Sequence, residues 1–243
     1  MRTKNLRYDA VLFDLGYTLI YFEPPQGTIV QESLQAIGVE RSVEQITASA
    51  ERVWGDHYHD AETTIFPASE EYDRRTQSSL ARALLASLGV EGSADVLQSY
   101  ADAIESRFDR PGVIRPYSEV VEVLTSLQDH AYRLGIVSNW SWNLRDRVTQ
   151  AGLDRFFELV WASAYAGCNK PHPRIFNQAL ARMEIPLERA LYVGDSYQHD
   201  VVGARRAGLD VVLLDRDGSA EIQDCPVIHD LRGVLAMLGN SFT

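Results

Sequence analysis

Ala10-Val11-Leu12-Phe13-Asp14-Leu15-Gly16-Tyr17-Thr18-Leu19 sets the architecture of this chain. Four apolar residues end on a carboxylate, and a glycine two places later permits a sharp turn. That order predicts a buried parallel strand that delivers Asp14 to a loop. The pattern recurs at Tyr132–Val137 before Ser138, at Ala190–Val193 before Gly194-Asp195, and at Asp210–Leu214 before Asp215. Helical stretches lie between, at Glu119–Asp129, Ile175–Met183 and Val201–Ala207. Strands alternating with helices predict an α/β fold built on a doubly wound parallel sheet. Ligands of such sheets bind outside the carboxyl ends of the strands. Asp14, Ser138 and Asp195 are therefore expected on one rim, although they are far apart in the chain.

Residues 21–113 read differently. They hold no buried-strand signature but carry apolar residues at helical spacing: Ile29, Leu34 and Ile37; Ile46, Val53 and Trp54; Leu80, Leu84, Leu85 and Leu88; Val96, Leu97, Tyr100 and Ile104. Pro24-Pro25 opens the stretch and Asp109-Arg110-Pro111-Gly112 helps to close it. The expectation is an inserted α-helical bundle, with 1–20 and 114–243 forming the α/β core. No internal repeat or low-complexity tract interrupts it.

A formal charge of −11 argues against nucleic acid and anionic membrane surfaces as partners, because no basic cluster offsets it. Cys168 and Cys225 lack metal-type spacing and read as two reduced thiols. The stretch Met1–Arg7 has no apolar signal-peptide core, and no apolar run approaches the ~20 residues of a membrane span. The expected location is the cytoplasm. Oligomeric state is not readable from these residues.

Four strand-end segments carry chemistry: Asp14 to Thr18; Ser138-Asn139; Asn169-Lys170-Pro171; and Gly194-Asp195 with Asp200. A carboxylate at a crevice mouth can attack phosphorus and split hydrolysis into two steps. A serine hydroxyl and backbone N–H groups can hold phosphoryl oxygens. A lysine can neutralise developing charge. Acidic residues such as Asp195 and Asp200 suit magnesium, a hard cation that favours carboxylates and water. Each segment alone is an ordinary loop or cap; their ordered occurrence at successive strand ends points to a site.

Taken together, these segments resemble the four motifs of the haloacid-dehalogenase (HAD) superfamily. The stretch Lys170-Pro171-His172-Pro173-Arg174-Ile175-Phe176 and the later Gly203-Ala204-Arg205-Arg206-Ala207-Gly208 resemble its subfamily with a helical C1-type cap on a Rossmann-like core. The resemblance covers about Tyr8–Gly16 and Tyr117–Asp215; the cap matches in position, length and helical character. It implies a hydrolase, most simply a magnesium-dependent phosphatase acting on a small phosphorylated metabolite through an aspartyl-phosphate. By position it makes Asp14 the nucleophile, with Ser138 and Asn139 binding phosphate beside Lys170, the charge-stabilising lysine. It assigns Mg²⁺ to Asp14, the Gly16 carbonyl, Asp195 and Asp200.

The chain departs from the family pattern at Gly16, where the superfamily carries its acid/base aspartate. General acid–base assistance is worth roughly 10²–10⁴-fold in rate, and a glycine supplies none. The sequence leaves three accounts open. Tyr17, His199 or water can carry protons, or the leaving group is a good one. The reaction can be at carbon, as in the 2-haloacid dehalogenases. Or the site can bind phosphate with little turnover and act in regulation. Trp140 and Trp142 read as packing between core and cap; His57 and His59 in Trp54–Asp60 read as a solvated helix face. Arg107, Arg110 and Arg115 read as surface arginines.

Overall fold

The computed structural model describes residues 7–221 and 224–239; the segment Met1–Leu6 lies outside it. Strand β1 (Ala10–Phe13) is buried along its whole length. Its side chains alternate between two cores: Val11 and Phe13 face one, Ala10 and Leu12 the other. That is what period-two alternation gives when both faces of a sheet are covered.

The chain then forms β2 (Ile20–Phe22), four helices α1 (Gln26–Ala36), α2 (Val43–Tyr58), α3 (Glu70–Ser87) and α4 (Ala94–Phe108), and β3 (Ile114–Pro116). Next come α5 (Val120–Asp129), β4 (Arg133–Ser138), α6 (Leu144–Gln150), β5 (Leu159–Ala162), α7 (Ser163–Ala166) and α8 (Pro173–Met183). The order closes with β6 (Ala190–Gly194), α9 (Val202–Ala207), β7 (Asp210–Leu214), β8 (Val227–Ile228) and α10 (Arg232–Leu238).

Six strands form one parallel sheet in the order β5-β4-β1-β6-β7-β8. Helices α5 and α10 cover one face through Val120, Val123, Leu124, Leu127, Val234 and Leu238. Helices α8 and α9 cover the other through Ile175, Phe176, Ala179, Leu180, Met183 and Ala204. This is the doubly wound α/β sheet that the strand–helix alternation predicts. Each fully buried Val, Leu, Ile or Phe contributes roughly 1.5–3 kcal/mol, so the strand ends that bear the polar residues stand on a sheet packed on both faces. β5 and β8 are additional to the sequence reading. β5 is followed by Ser163 and Ala164 rather than by an acid or glycine, and β8 is two residues long.

The four helices between β2 and β3 have a core of their own, made by Leu34, Ile46, Leu84, Leu85, Leu88 and Tyr100. Three of them begin on serine caps. Ser42 forms a reciprocal capping box with Gln45, Ser69 accepts from Tyr72 N–H, and Ser93 accepts from Val96 N–H. β2 and β3 pair antiparallel, Ile20 with Pro116 and Phe22 with Ile114, so the chain leaves for the helices and returns along a two-stranded stem. No helix among the described residues is long and apolar enough to cross a membrane.

Candidate active site

Parallel pairing of β1 with β4 and β6 brings three strand ends side by side. Asp14 follows β1, Ser138 ends β4, and Asp195 follows β6. Asp14 is 7% exposed and its amide donates to Val193 O at 2.9 Å, which fixes the turn out of the strand. Asp14, Asp195 and Asp200 converge so that one oxygen from each lies within 4.8 Å of the others.

Lys170 is the cation at their centre. Its ammonium donates to Asp14 Oδ1 at 2.6 Å, to Asp200 Oδ1 at 2.6 Å and to Tyr192 Oη at 3.1 Å. Three N–H groups meet three oxygens, which a planar guanidinium cannot do in the same space. The choice stands out against the rest of the chain: only Lys4 and Lys170, of 23 Lys and Arg residues, are lysines. Burial works against this charge, but Asp14 and Asp200 outweigh it and hold the ammonium protonated.

The carboxylates are under the opposite pressure. Burial lifts the Asp14 carboxyl above its ordinary range, the Asp200 charge adds to this, and Lys170 and a hydrogen bond from Ser138 oppose it. Asp195 is pushed up to about 7, first by burial and then by Asp14 and Asp200. Three carboxylates share one ammonium, so the cluster is short of positive charge. Its donor set is all hard oxygen, which fits a divalent magnesium ion.

Neighbours fix each acid. Asp200 Oδ2 accepts the Ser196 amide at 2.9 Å, and Thr18 Oγ1 donates to Asp195 Oδ1 at 2.9 Å. Asp200 sits in a single π-turn, Tyr197–Val201, which leads into α9; the sequence reading extends the regular helix to Val201. Such turns are common at functional sites. Gly194 makes room: a Cβ there would lie 2.3 Å from Asp200 Cγ. Gly194→Ala is expected to displace Asp200 and cost about 1–3 kcal/mol, the usual range for overpacking. Urea unfolding measures this, and an unchanged midpoint would show that Asp200 yields freely.

Asn139, expected to contact phosphate, also holds the lysine loop. Its Oδ1 accepts the Lys170 amide at 2.7 Å and its Nδ2 donates to Lys170 O at 3.1 Å. The side chain thus clamps the loop that presents the lysine. At Gly16 the backbone forms a bridge with Ile20, and a Cβ would meet only Trp140 Cζ3, at 3.5 Å. The position has room for a side chain.

The sequence reading missed three contributors. Tyr192 lies inside β6 and looks like any strand aromatic, yet its hydroxyl is 2.8 Å from Val137 O and 3.0 Å from Asp200 Oδ1. Thr18 carried no assigned role. Tyr58 ends α2, one place from His57 and His59, which read as a solvated face. Its ring packs on His199 with centroids 5.1 Å apart. Burial raises its hydroxyl to about 12, and it feels the charges of Lys170 and Asp14. The His-x-His spacing drew attention to the wrong side chains. Arg107 and Arg110 pair with Glu32, and Arg115 with Glu23.

The helices reach the sheet through polar contacts. Glu62 pairs with Arg206 at 2.8 Å, Phe66 N–H donates to Gly167 O at 2.8 Å, and Asp73 accepts the Trp142 amide at 2.9 Å. Arg147, 5% exposed, donates to Glu105 at 2.5 Å and to Asp109 at 2.6 Å.

Comparisons with known proteins agree with this geometry. A family model described as haloacid dehalogenase-like hydrolase matches residues 11–214. Glyceraldehyde 3-phosphate phosphatase of Methanothermobacter thermautotrophicus is 33% identical over 109 residues, 43% of this chain and 47% of that protein. The chain thus spans about half the length of that relative. Phosphoserine phosphatase of Thermus thermophilus is 29% identical over 219 residues, covering 85% of this chain and 88% of its own. Among solved structures, the HAD-hydrolase YfnB of Bacillus subtilis, bound to magnesium, superposes with a TM-score of 0.76 at 22% identity, over 96% of this chain and 99% of the other.

Proposed function

Because the chain belongs to the haloacid dehalogenase-like hydrolase family, we propose that it is a phosphatase of small phosphate monoesters with Asp14 as nucleophile. The observation that carries this reading is the Asp14 carboxylate held 2.6 Å from the Lys170 ammonium, beside Asp195 and Asp200, at the carboxyl end of β1. The phosphatase names of two relatives support it. Residues 21–113 act as a cap over the α/β core of 1–20 and 114–243, and the substrate is a small metabolite met in the cytoplasm.

In the first step an Asp14 oxygen attacks phosphorus and the bond to the leaving oxygen breaks. In the second, water attacks the aspartyl-phosphate and returns the carboxylate. Ser138 supports the phosphoryl oxygens. Lys170 balances charge as it builds, and Asn139 keeps it in place. Asp14, the Gly16 carbonyl, Asp195 and Asp200 hold magnesium. The bound ion supplies the positive charge that the carboxylates lack and that a phosphoryl group needs.

A reaction at carbon has less behind it. Tyr17, the tyrosine nearest the dehalogenase position, stands at φ 56° and commits its hydroxyl to Gln26 Oε1 at 3.3 Å.

The test is phosphate release from a panel of metabolite and aryl phosphates, with magnesium, with a chelator, and with magnesium restored. Release that needs the ion is expected. The ion should also stabilise the fold, by about 2.7 kcal/mol at 100 times its dissociation constant. No release from any ester in any condition would overturn the reading.

A further inference from the structure

The mouth of the crevice is aromatic on both sides. On one side Tyr17, 46% exposed, packs edge-on against Phe22, which in turn stacks on Trp140. On the other, Tyr58 of α2 packs against His199, next in the chain to Asp200. The Trp140 ring reaches over Gly16: its Cζ3 lies 3.5 Å from where a Cβ would stand. An aspartate would fill that space. Glycine leaves that room open beside the indole edge.

Among the described residues, the cations that border this rim are already paired. Arg216 is committed to Glu119 at 2.8 Å and to the Tyr17 and Thr18 carbonyls at 3.2 and 2.7 Å. Arg206 pairs with Glu62 and Arg115 with Glu23, while Lys170 is saturated below. A carboxylate on the leaving group would enter beside three acids with no partner of its own, an arrangement that costs affinity.

The absence of an acid at position 16 points the same way. Neither neighbouring candidate replaces it: Tyr17 gives its hydroxyl proton to Gln26, and His199 is held by Ser196 and the Tyr58 ring. The leaving oxygen then departs as an anion, which only an acidic hydroxyl does readily. We propose that the substrate is a phosphate ester of a planar, uncharged and acidic hydroxyl, an aryl or enol phosphate whose flat group meets the aromatic rim formed by Tyr17, Phe22 and Trp140. This rests on the phosphatase reading and names its substrate class. An Asp14 oxygen forms the bond to phosphorus, and the ester P–O bond breaks. Its electron pair stays on the phenolate or enolate, which needs no proton. Water then bonds to phosphorus, the bond to Asp14 breaks with its electrons returning to the carboxylate, and the water proton passes to solvent.

The experiment compares kcat/KM for 4-nitrophenyl phosphate, phenyl phosphate, glycerol phosphate and phosphoglycolate, in the native chain and in Gly16→Asp. In the native chain rates should fall in that order, with phosphoglycolate near background. Gly16→Asp should raise release from glycerol phosphate by about 10²–10⁴-fold, the worth of a general acid. It should improve 4-nitrophenyl phosphate far less. Native turnover of glycerol phosphate or phosphoglycolate equal to that of the aryl esters would overturn the inference and leave the phosphatase reading standing. So would an equal gain for every ester in the variant. Silence of both proteins towards all four esters would overturn the phosphatase reading, and this inference with it.

Discussion

Phosphate release by Asp14→Asn is expected to fall to the uncatalysed background, a loss on the order of 10⁶-fold if Asp14 is a covalent nucleophile. Asparagine keeps the shape of the side chain, so the turn after β1, fixed by the Asp14 amide on Val193 O, is retained. What goes is the negative oxygen 2.6 Å from Lys170. The fold should survive. Lys170 still has Asp200 and Tyr192 as acceptors, and burial already opposes charge on Asp14. Thermal unfolding of the metal-free protein should therefore show no loss. The informative pairing is lost turnover with an intact melting curve. Appreciable turnover in a folded Asp14→Asn protein would remove Asp14 as nucleophile.

Lys170→Met should damage stability as well as turnover. Lys170 is 2% exposed and bridges Asp14 and Asp200. Removing one member of a buried ion pair costs roughly 3–5 kcal/mol, because the partner is left uncompensated. Here three carboxylates would be left together. Removing a group that stabilises developing charge typically costs a further 10²–10³-fold in kcat. Lys170→Arg should rescue little, since a fork of coplanar donors does not match three converging oxygens. Adding Asp200→Asn to Lys170→Met should recover part of the stability, the coupling expected of residues in contact. A Lys170→Met protein with native urea midpoint would show that the pair contributes nothing to the fold.

The α/β sheet was legible because its strands write a simple signal: an apolar run that ends on a polar residue. Asp14, Ser138 and Asp195 all follow that rule, and parallel pairing brings them together. Lys170 was read as a strand-end residue, but the helix α7 stands between β5 and its loop, so its loop signature and order in the chain are what found it. β5 was missed because Leu159-Val160-Trp161-Ala162 leads into a short helix and not to a reactive group. The stem of β2 and β3 joins segments some ninety residues apart, and neither strand is long enough to show a period. Tyr58 and Tyr192 were illegible for another reason. Their roles depend on what stands opposite in space, and each is one aromatic within an otherwise ordinary element. Asn139 shows a further limit: its place in a motif suggested a ligand contact, and only its neighbours in space reveal the clamp on Lys170.

The scarcity of lysine has a consequence for how the molecule can be addressed from outside. Acylating reagents and lysine-modifying enzymes need a free amine, and 21 of the 23 basic residues are arginines that offer none. Of the two amines on side chains, the one in the crevice is sequestered as a protonated, triply bonded ammonium that is 2% exposed. A covalent mark there requires the crevice to part and the ion pairs to break. The site is thus insulated from the commonest side-chain chemistry of the cell by the same bonds that aim its lysine.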